Sequence, residues 1–216
     1  MKLLCTSDIH GRMANVGKLV SIKPECDIVV VAGDITNFGN AREAKGIINA
    51  LATIADDLVA VPGNCDPTAV NRYLAESGFG IHAGGRIIGS IGFFGVGGSN
   101  LTPFNTPQEH SEDTIQGLLA KGFESVGDCD VRVLVSHAPP YTTNLDIARG
   151  KHVGSRSVRN FLDENPVDLV VTGHIHEAKG VDELGNTMLL NPGPLHTGYA
   201  IVKVEDGSIN IKFHPL

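Results

Sequence analysis

Seven residues of types that hold metal ions fall at five places along the chain: Asp8 with His10, Asp34, Asn64, His137, and His174 with His176. Each place follows an apolar run that reads as a β-strand: Leu3-Leu4-Cys5, Ile28-Val29-Val30-Val31, Leu58-Val59-Ala60-Val61, Val131-Arg132-Val133-Leu134-Val135 and Asp168-Leu169-Val170-Val171. In open α/β sheets ligands bind at the carboxyl ends of the strands, so these side chains would meet at one rim. Carboxylate and amide oxygens mixed with imidazoles suit manganese, iron or zinc better than calcium, and the lack of thiolates argues against a closed structural zinc site. One shared carboxylate can hold two such ions about 3.5–4 Å apart and bring the pKa of a shared water down to about 7. The chemistry to expect is hydrolysis, with water as the nucleophile. No Ser-His-Asp or Cys-His set competes for that role.

Taken singly, the pieces are weak. A lone histidine beside a strand is more often a satisfied structural group than a ligand, Asp34 could cap a helix or close an Asx-turn, and Gly33 and Gly63 could be ordinary turn glycines. Jointly, those readings demand seven coincidences of residue type and place. His82, His110, His152, His196 and His214 read as surface or loop histidines, although His152 and His196 lie in loops that could overhang the metals.

The elements that must position this set follow from periodicity. The first half reads βαβαβα, with helices near 16–22, over 41–55 (apolar at Ala44, Ile47, Ile48, Leu51 and Ile54) and over 67–77, where Pro67 suits a first helical turn. Glycines at 84, 85, 89, 92, 95, 97 and 98 break the next stretch into hairpins and tight loops. A second α/β stretch has helices near 112–123 and 155–164, the latter stopped by Pro166, and the tail reads as antiparallel strands turning at 183–186 and 205–207. The regions 102–110 and 139–154 read as loops close to ligand segments.

A chain of 216 residues with ligands spread from 8 to 176 is expected to be one domain, 1–216, since an internal boundary would cut the site. Its net charge of −7, from 17 basic and 24 acidic residues, with no Trp and three Tyr, argues against nucleic acid or an anionic membrane face as partner. Two bound dications would still make the pocket itself positive enough for a phosphate. Cys5, Cys26, Cys65 and Cys129 are scattered, no run reaches the length of a membrane span, and the apolar start at Met1 is cut short by Asp8, so a cytoplasmic location is expected. The tail strands leave homo-oligomer formation open.

The motifs Asp8-Ile9-His10, Gly33-Asp34, Gly63-Asn64-Cys65-Asp66, Ser136-His137 and Gly173-His174-Ile175-His176, in this order and spacing, resemble the calcineurin-like metallophosphoesterases; Asn191-Pro192-Gly193 resembles a loop that often follows the last motif in the small prokaryotic members. The resemblance implies an α/β fold in four layers, a sandwich of two mixed β-sheets flanked by helices. It implies that Asp8, His10 and His176 hold one divalent ion, that Asn64, His137 and His174 hold another, and that Asp34 bridges them. Manganese is favoured, with iron, zinc or nickel open. Asn64, Cys65, Asp66 and His137 would serve catalysis, Asp66 by orienting its neighbours rather than by ligation. Most of the family has His after the Asn; Gly-Asn-Cys-Asp resembles a subgroup of phosphodiesterases. A thiol of pKa about 8.5 is a weak proton donor at neutral pH beside an imidazole of about 6.5, which favours esters whose leaving group needs little protonation. The expected function is hydrolysis of small soluble phosphodiesters. The alternatives are a phosphomonoesterase on the same ions and a non-catalytic scaffold on the same fold.

Overall fold

The structure is a computed structural model and describes residues 1–205 and 207–216. The chain begins β1 (Lys2–Thr6), α1 (Met13–Ile22), β2 (Ile28–Ala32), α2 (Ala41–Leu51), β3 (Asp57–Val61) and α3 (Thr68–Glu76). It continues with β4 (Gly84–Ile88), β5 (Ile91–Val96), the short β6 (Ser99–Asn100) and β7 (Glu109–His110), α4 (Glu112–Glu124) and β8 (Val131–Ser136). The short β9 (Ile147–Ala148) and β10 (Lys151–His152) precede α5 (Arg156–Glu164) and β11 (Leu169–Val171). The tail forms β12 (Gly180–Leu184), β13 (Thr187–Asn191), β14 (Tyr199–Glu205) and β15 (Ser208–His214), with single 3-10 turns at His176–Ala178 and Leu195–Thr197.

Two mixed sheets carry the architecture. One has the order β15-β14-β1-β2-β3, with β1, β2 and β3 parallel; the other has the order β12-β13-β11-β8-β5-β4, with β13, β11, β8 and β5 parallel. Strand alternation builds three apolar layers from them. Ile28, Val30 and Ala32 of one sheet pack with Val131, Val133 and Val135 of the other between the sheets. Val29 and Val31 face α1 and α2 on one outside, and Leu134 and Val170 face α4 and α5 on the other. The result is four layers, helix, sheet, sheet, helix. Because the parallel strands of both sheets are buried on both faces, they read as continuous Val/Ile/Leu runs.

The helices start where the sequence offers a cap. Asn40 accepts from the Arg42 and Glu43 amides, Ser111 from Thr114 and Ser155 from Val158, each worth about 1 kcal/mol. Two expectations shift. The helix expected over 41–55 stops at Leu51, because Thr53 and Ile54 turn back onto Ala50 and Leu51 and the Thr53 hydroxyl takes the Ala50 carbonyl at 2.7 Å. Pro67 stands one residue outside α3, as its cap. The tail forms the expected antiparallel strands, β12 with β13 and β14 with β15; β14 also pairs with β1 and β13 runs parallel to β11, so the tail completes both sheets.

Candidate metal centre

All seven residues singled out above lie just past the carboxyl ends of parallel strands from the two sheets. The loops after β1 and β2 are laced together, Asp8 N to Gly33 O at 3.1 Å and His10 N to Asp34 O at 2.8 Å. The loop after β11 is tied to them through His174 N, which donates to the Asp8 carboxylate at 3.2 Å. Asn191, fully buried, donates to the Ile175 carbonyl at 2.9 Å and so holds the turn between His174 and His176.

The backbone at these positions is not the extended chain that would let residues two apart point the same way. Asp8, His10, Asp34 and His174 have φ of 51°, 49°, 48° and 66°, a left-handed conformation that costs a side-chain-bearing residue about 1–2 kcal/mol. Four such residues turned toward one point is strain placed at a site. Nor are the motif glycines ordinary turn glycines. A Cβ on Gly33 would strike the His137 ring, and one on Gly63 would strike the Asp34 side chain and amide. Each glycine leaves room for a neighbouring strand's polar side chain.

The inner part of the cluster is defined by lone pairs. His137 Nδ1 lies 2.7 Å from the Ala32 carbonyl, which can only accept, so in the neutral ring the proton is on Nδ1 and Nε2 carries a lone pair. Asn64 Nδ2 donates to Thr106 Oγ1 at 3.0 Å, which turns Asn64 Oδ1 inward to 3.0 Å from that same Nε2. Asp34 Oδ1 is 3.4 Å from Nε2. Three acceptors thus face one another with no proton among them. On the other side, His176 Nε2 sits 3.2 Å from both Asp8 Oδ1 and His10 Nε2, and His10 Nε2 is 3.7 Å from Asp34 Oδ2. Ligand atoms of Asp8, His10 and His176, and those of Asp8, Asp34 and His137, come within 4.8 Å of one another. Asp34 thus lies against histidines of both parts, His10 on one side and His137 on the other. His174 packs its ring 5.2 Å from that of His137.

The charges point the same way. Asp8, Asp34 and Asp66 are 1%, 2% and 0% exposed, and among the described residues no Lys or Arg pairs with any of them. Burial pushes the Asp34 carboxyl up to about 6 against the pull of His137. Asp8 is also pushed up by burial, but hydrogen bonding to His176 and the neighbouring imidazoles bring it down to about 2. Burial lowers His10 to about 4 and His174 to about 3, leaving both neutral with free lone pairs at pH 7. Hydrogen bonding to Asp8 raises His176 instead. Buried carboxylates without a Lys or Arg partner, together with the neutral imidazoles of His10 and His174, fit divalent ions.

Asp66 accepts from the Ile35, Thr36 and Gly63 amides at 3.0, 2.7 and 2.8 Å and from the Thr36 hydroxyl. Cys65 N donates to Asp34 Oδ1 at 2.8 Å, and its sulfur lies within 4.8 Å of ligand atoms of both His10 and Asp34. Burial first, then the Asp34 charge, push its thiol up, so it stays protonated. His152 sets Nδ1 2.6 Å from buried Asp146, and among the described residues it joins none of the groups of converging ligand atoms. His82 and His110, expected at the surface or in loops, are half-buried: they stack at 6.0 Å, and burial lowers His82 to about 4. Thr106 and Glu109, which bear on Asn64, carried no sequence signal beyond lying in a loop near the ligands.

Fold and site together define a metal-dependent phosphoesterase scaffold. The sequence profile for calcineurin-like phosphoesterases matches residues 1–178, and the chain belongs to that family. The uncharacterized protein MJ1162 of Methanocaldococcus jannaschii is 38% identical over 201 residues, 90% of this chain and 88% of that one. The crystal structure of TT1561 of Thermus thermophilus superposes with a TM-score of 0.77 at 18% identity, covering 98% of each chain. A structure described as a novel archaeal phosphodiesterase matches with a TM-score of 0.54 at 16% identity, over 99% of this chain and all of that one. Among the described residues, no helix is long and apolar enough to cross a membrane.

Proposed function

We propose that the chain is a binuclear phosphodiesterase acting on small soluble diesters. Asp8, His10 and His176 hold one divalent ion, Asn64, His137 and His174 hold the other, and Asp34 is shared. The observation that carries this reading is the convergence of Asp34 Oδ1, Asn64 Oδ1 and His137 Nε2, all acceptors when the His137 ring is neutral, with no Lys or Arg paired to them among the described residues. When bound, two such ions supply a nucleophile from water near neutral pH and offset charge on the phosphate oxygens. Around them the protein's groups orient and exclude. Ala32 fixes the His137 tautomer, Asp66 ties the Asp34 loop to the Asn64 loop, and Asn191 holds the turn that presents His176.

The preference for diesters rests on Cys65 and on the mouth. A thiol held protonated beside Asp34 is a weak donor to a leaving oxygen, so leaving groups that need little protonation are favoured. Phe38 and Phe104 are 58% and 77% exposed. Their loops touch the Asn64-Cys65 segment from two sides, through Phe38 N to Cys65 O at 3.2 Å and through Thr106. Exposed aromatic surface there suits the second organic arm that a diester brings. We take the molecule as one domain over residues 1–216, working in the cytoplasm with manganese as the favoured metal. Steady-state kinetics with bis-p-nitrophenyl phosphate, p-nitrophenyl phosphate and nucleoside monophosphates tests the proposal. The diester should give the highest kcat/KM, and a preference for alkyl monoesters overturns it.

A further inference from the structure

Asn64 presents the same shape to its surroundings whichever way its amide is turned, yet the two orientations have opposite consequences. With Oδ1 inward, the residue offers a lone pair beside the His137 Nε2 lone pair, and a cation can bind between them. With Nδ2 inward, the amide would donate to Nε2, satisfy both groups and close that position to metal. Without metal, the second arrangement is the better hydrogen bond.

The structure holds the first, and the reason lies in the loop between β6 and β7. Glu109 accepts there from the Thr102 amide at 2.9 Å, the Thr106 amide at 2.8 Å, the Thr106 hydroxyl at 2.7 Å and the Thr102 hydroxyl. An ionised carboxylate can only accept, so the single Thr106 hydroxyl proton points at Glu109. Thr106 Oγ1 therefore shows Asn64 a lone pair and can only receive from Nδ2, as it does at 3.0 Å. A flipped amide would set oxygen against oxygen. The register of the loop is pinned at Asn64 and just past it: Gln108 N donates to the Asn64 carbonyl at 3.1 Å and Gln108 Nε2 to the Asp66 carbonyl at 2.6 Å. Cys65 Sγ, 3.7 Å from Nδ2, offers the amide a second, weaker acceptor.

We propose that Thr106, oriented by Glu109, is a positioning residue that locks the Asn64 amide with its oxygen inward and so keeps the inner metal position open in the metal-free protein. This rests on the binuclear reading of the site and adds to it a specific proton chain, from Asn64 to Thr106 to Glu109. Loss of the Thr106 hydroxyl releases the flip without removing any ligand. It should weaken the ion held by Asn64 and spare the one held by Asp8, His10 and His176.

The test is metal binding by the full-length protein, measured with manganese by calorimetry and by competition with a chromophoric chelator, alongside thermal melting. Wild type and Thr106→Ser should bind two ions with similar affinities. Thr106→Val should keep one of them and bind the other about 10–100-fold more weakly, the range typical of losing an outer partner of a ligand. Asp in place of Asn64 has two equivalent oxygens and nothing to flip, so in an Asn64→Asp background the Thr106→Val step should no longer weaken binding, and by removing an oxygen that faces the carboxylate should leave affinity equal or higher. A merely structural role for Thr106 would persist in that background. Thr106→Val binding both ions as wild type does, or weakening both equally, or acting undiminished in the Asn64→Asp background, overturns this inference alone. Wild-type protein that binds no pair of ions overturns the reading of the site beneath it as well.

Discussion

The two parts of the candidate centre are built differently. Around Asp34, Asn64 and His137 the side chains are at most 4% exposed, the imidazole proton is fixed by a main-chain carbonyl, and a loop braces the amide. Around Asp8, His10 and His176 the carboxylate is sealed, but the His10 and His176 side chains are 16% and 46% exposed, and His176 begins a single 3-10 turn. Among the described residues, His10 Nδ1 is buried with no partner to fix its tautomer. One half is preorganised by its neighbours; the other must be ordered by what it binds. An ion in the inner half should therefore be held more tightly and exchange more slowly, because less ordering remains to be done on binding.

The largest effect should come from removing metal altogether. Prolonged EDTA treatment should abolish phosphoesterase activity, with manganese restoring more of it than magnesium, given the imidazole-rich set. The difference between the halves should appear in the time course, where metal analysis during chelation should record a fast phase and a slow one. Full activity in thoroughly metal-free protein would refute the mechanism, and release of both ions in a single phase would remove the distinction between the halves.

Next in size is the residue common to both halves. Asp34→Asn keeps the shape of the side chain but removes the charge that each half uses. We expect turnover to fall by about three orders of magnitude or more with the fold intact by circular dichroism. The same change relieves the metal-free protein of a buried carboxylate already pushed up to about 6, so the apo variant should melt no lower than wild type at pH 7. Full activity and metal content in the variant would sink the binuclear model.

How much of this was written in the sequence differs between the parts as well. The two mixed sheets and their buried parallel strands were legible because residues such as Ile28–Val31 and Val131–Val135 must be covered on both faces. The seven polar residues were legible because each directly follows such a run. What sequence could not carry is conformation and local pairing. Asp and His visit the left-handed region more readily than most residues, but nothing local requires it of Asp8 or His174, where it follows from tertiary strapping between loops. Thr106 and Glu109 belong to a stretch with no periodicity, and their bearing on Asn64 depends on a contact spanning 42 residues. His82 and His110 looked like surface or loop residues because their half-burial comes from stacking on each other between distant segments, which leaves no local pattern.

A smaller change should follow from the residue that borders both halves. Cys65 faces His10 and Asp34 together, and its protonated thiol offers little help to a poor leaving group. Cys65→His should raise kcat/KM for p-nitrophenyl phosphate relative to bis-p-nitrophenyl phosphate, with a shift of about tenfold or more, within the range of a positioned general acid. An unchanged ratio would mean that Cys65 does not set specificity.

The smallest effect concerns the brace itself, and it separates the halves by pH. Burial raises the Glu109 carboxyl, but hydrogen bonds from Thr102 and Thr106 outweigh it and bring the pKa from 4.5 down to about 2. A carboxylate depressed in the folded state contributes stability that is fully present above its ordinary value and lost as pH falls through the folded one. The window is thus from about 4.5 down to about 2. Hydrogen-exchange protection of the Thr102 and Thr106 amides, both of which donate to Glu109, should be constant from neutral pH to about 5 and decline below that. The decline should be modest, less than about tenfold, since a single partly exposed carboxylate contributes little more. Glu109→Gln should lower the protection at neutral pH and remove its acid dependence, while exchange around His176, which has no contact with the brace, stays as in wild type. Protection that is identical in wild type and Glu109→Gln at every pH would show that the loop is held by its main chain alone, and the inner half would lose its claim to a separate scaffold.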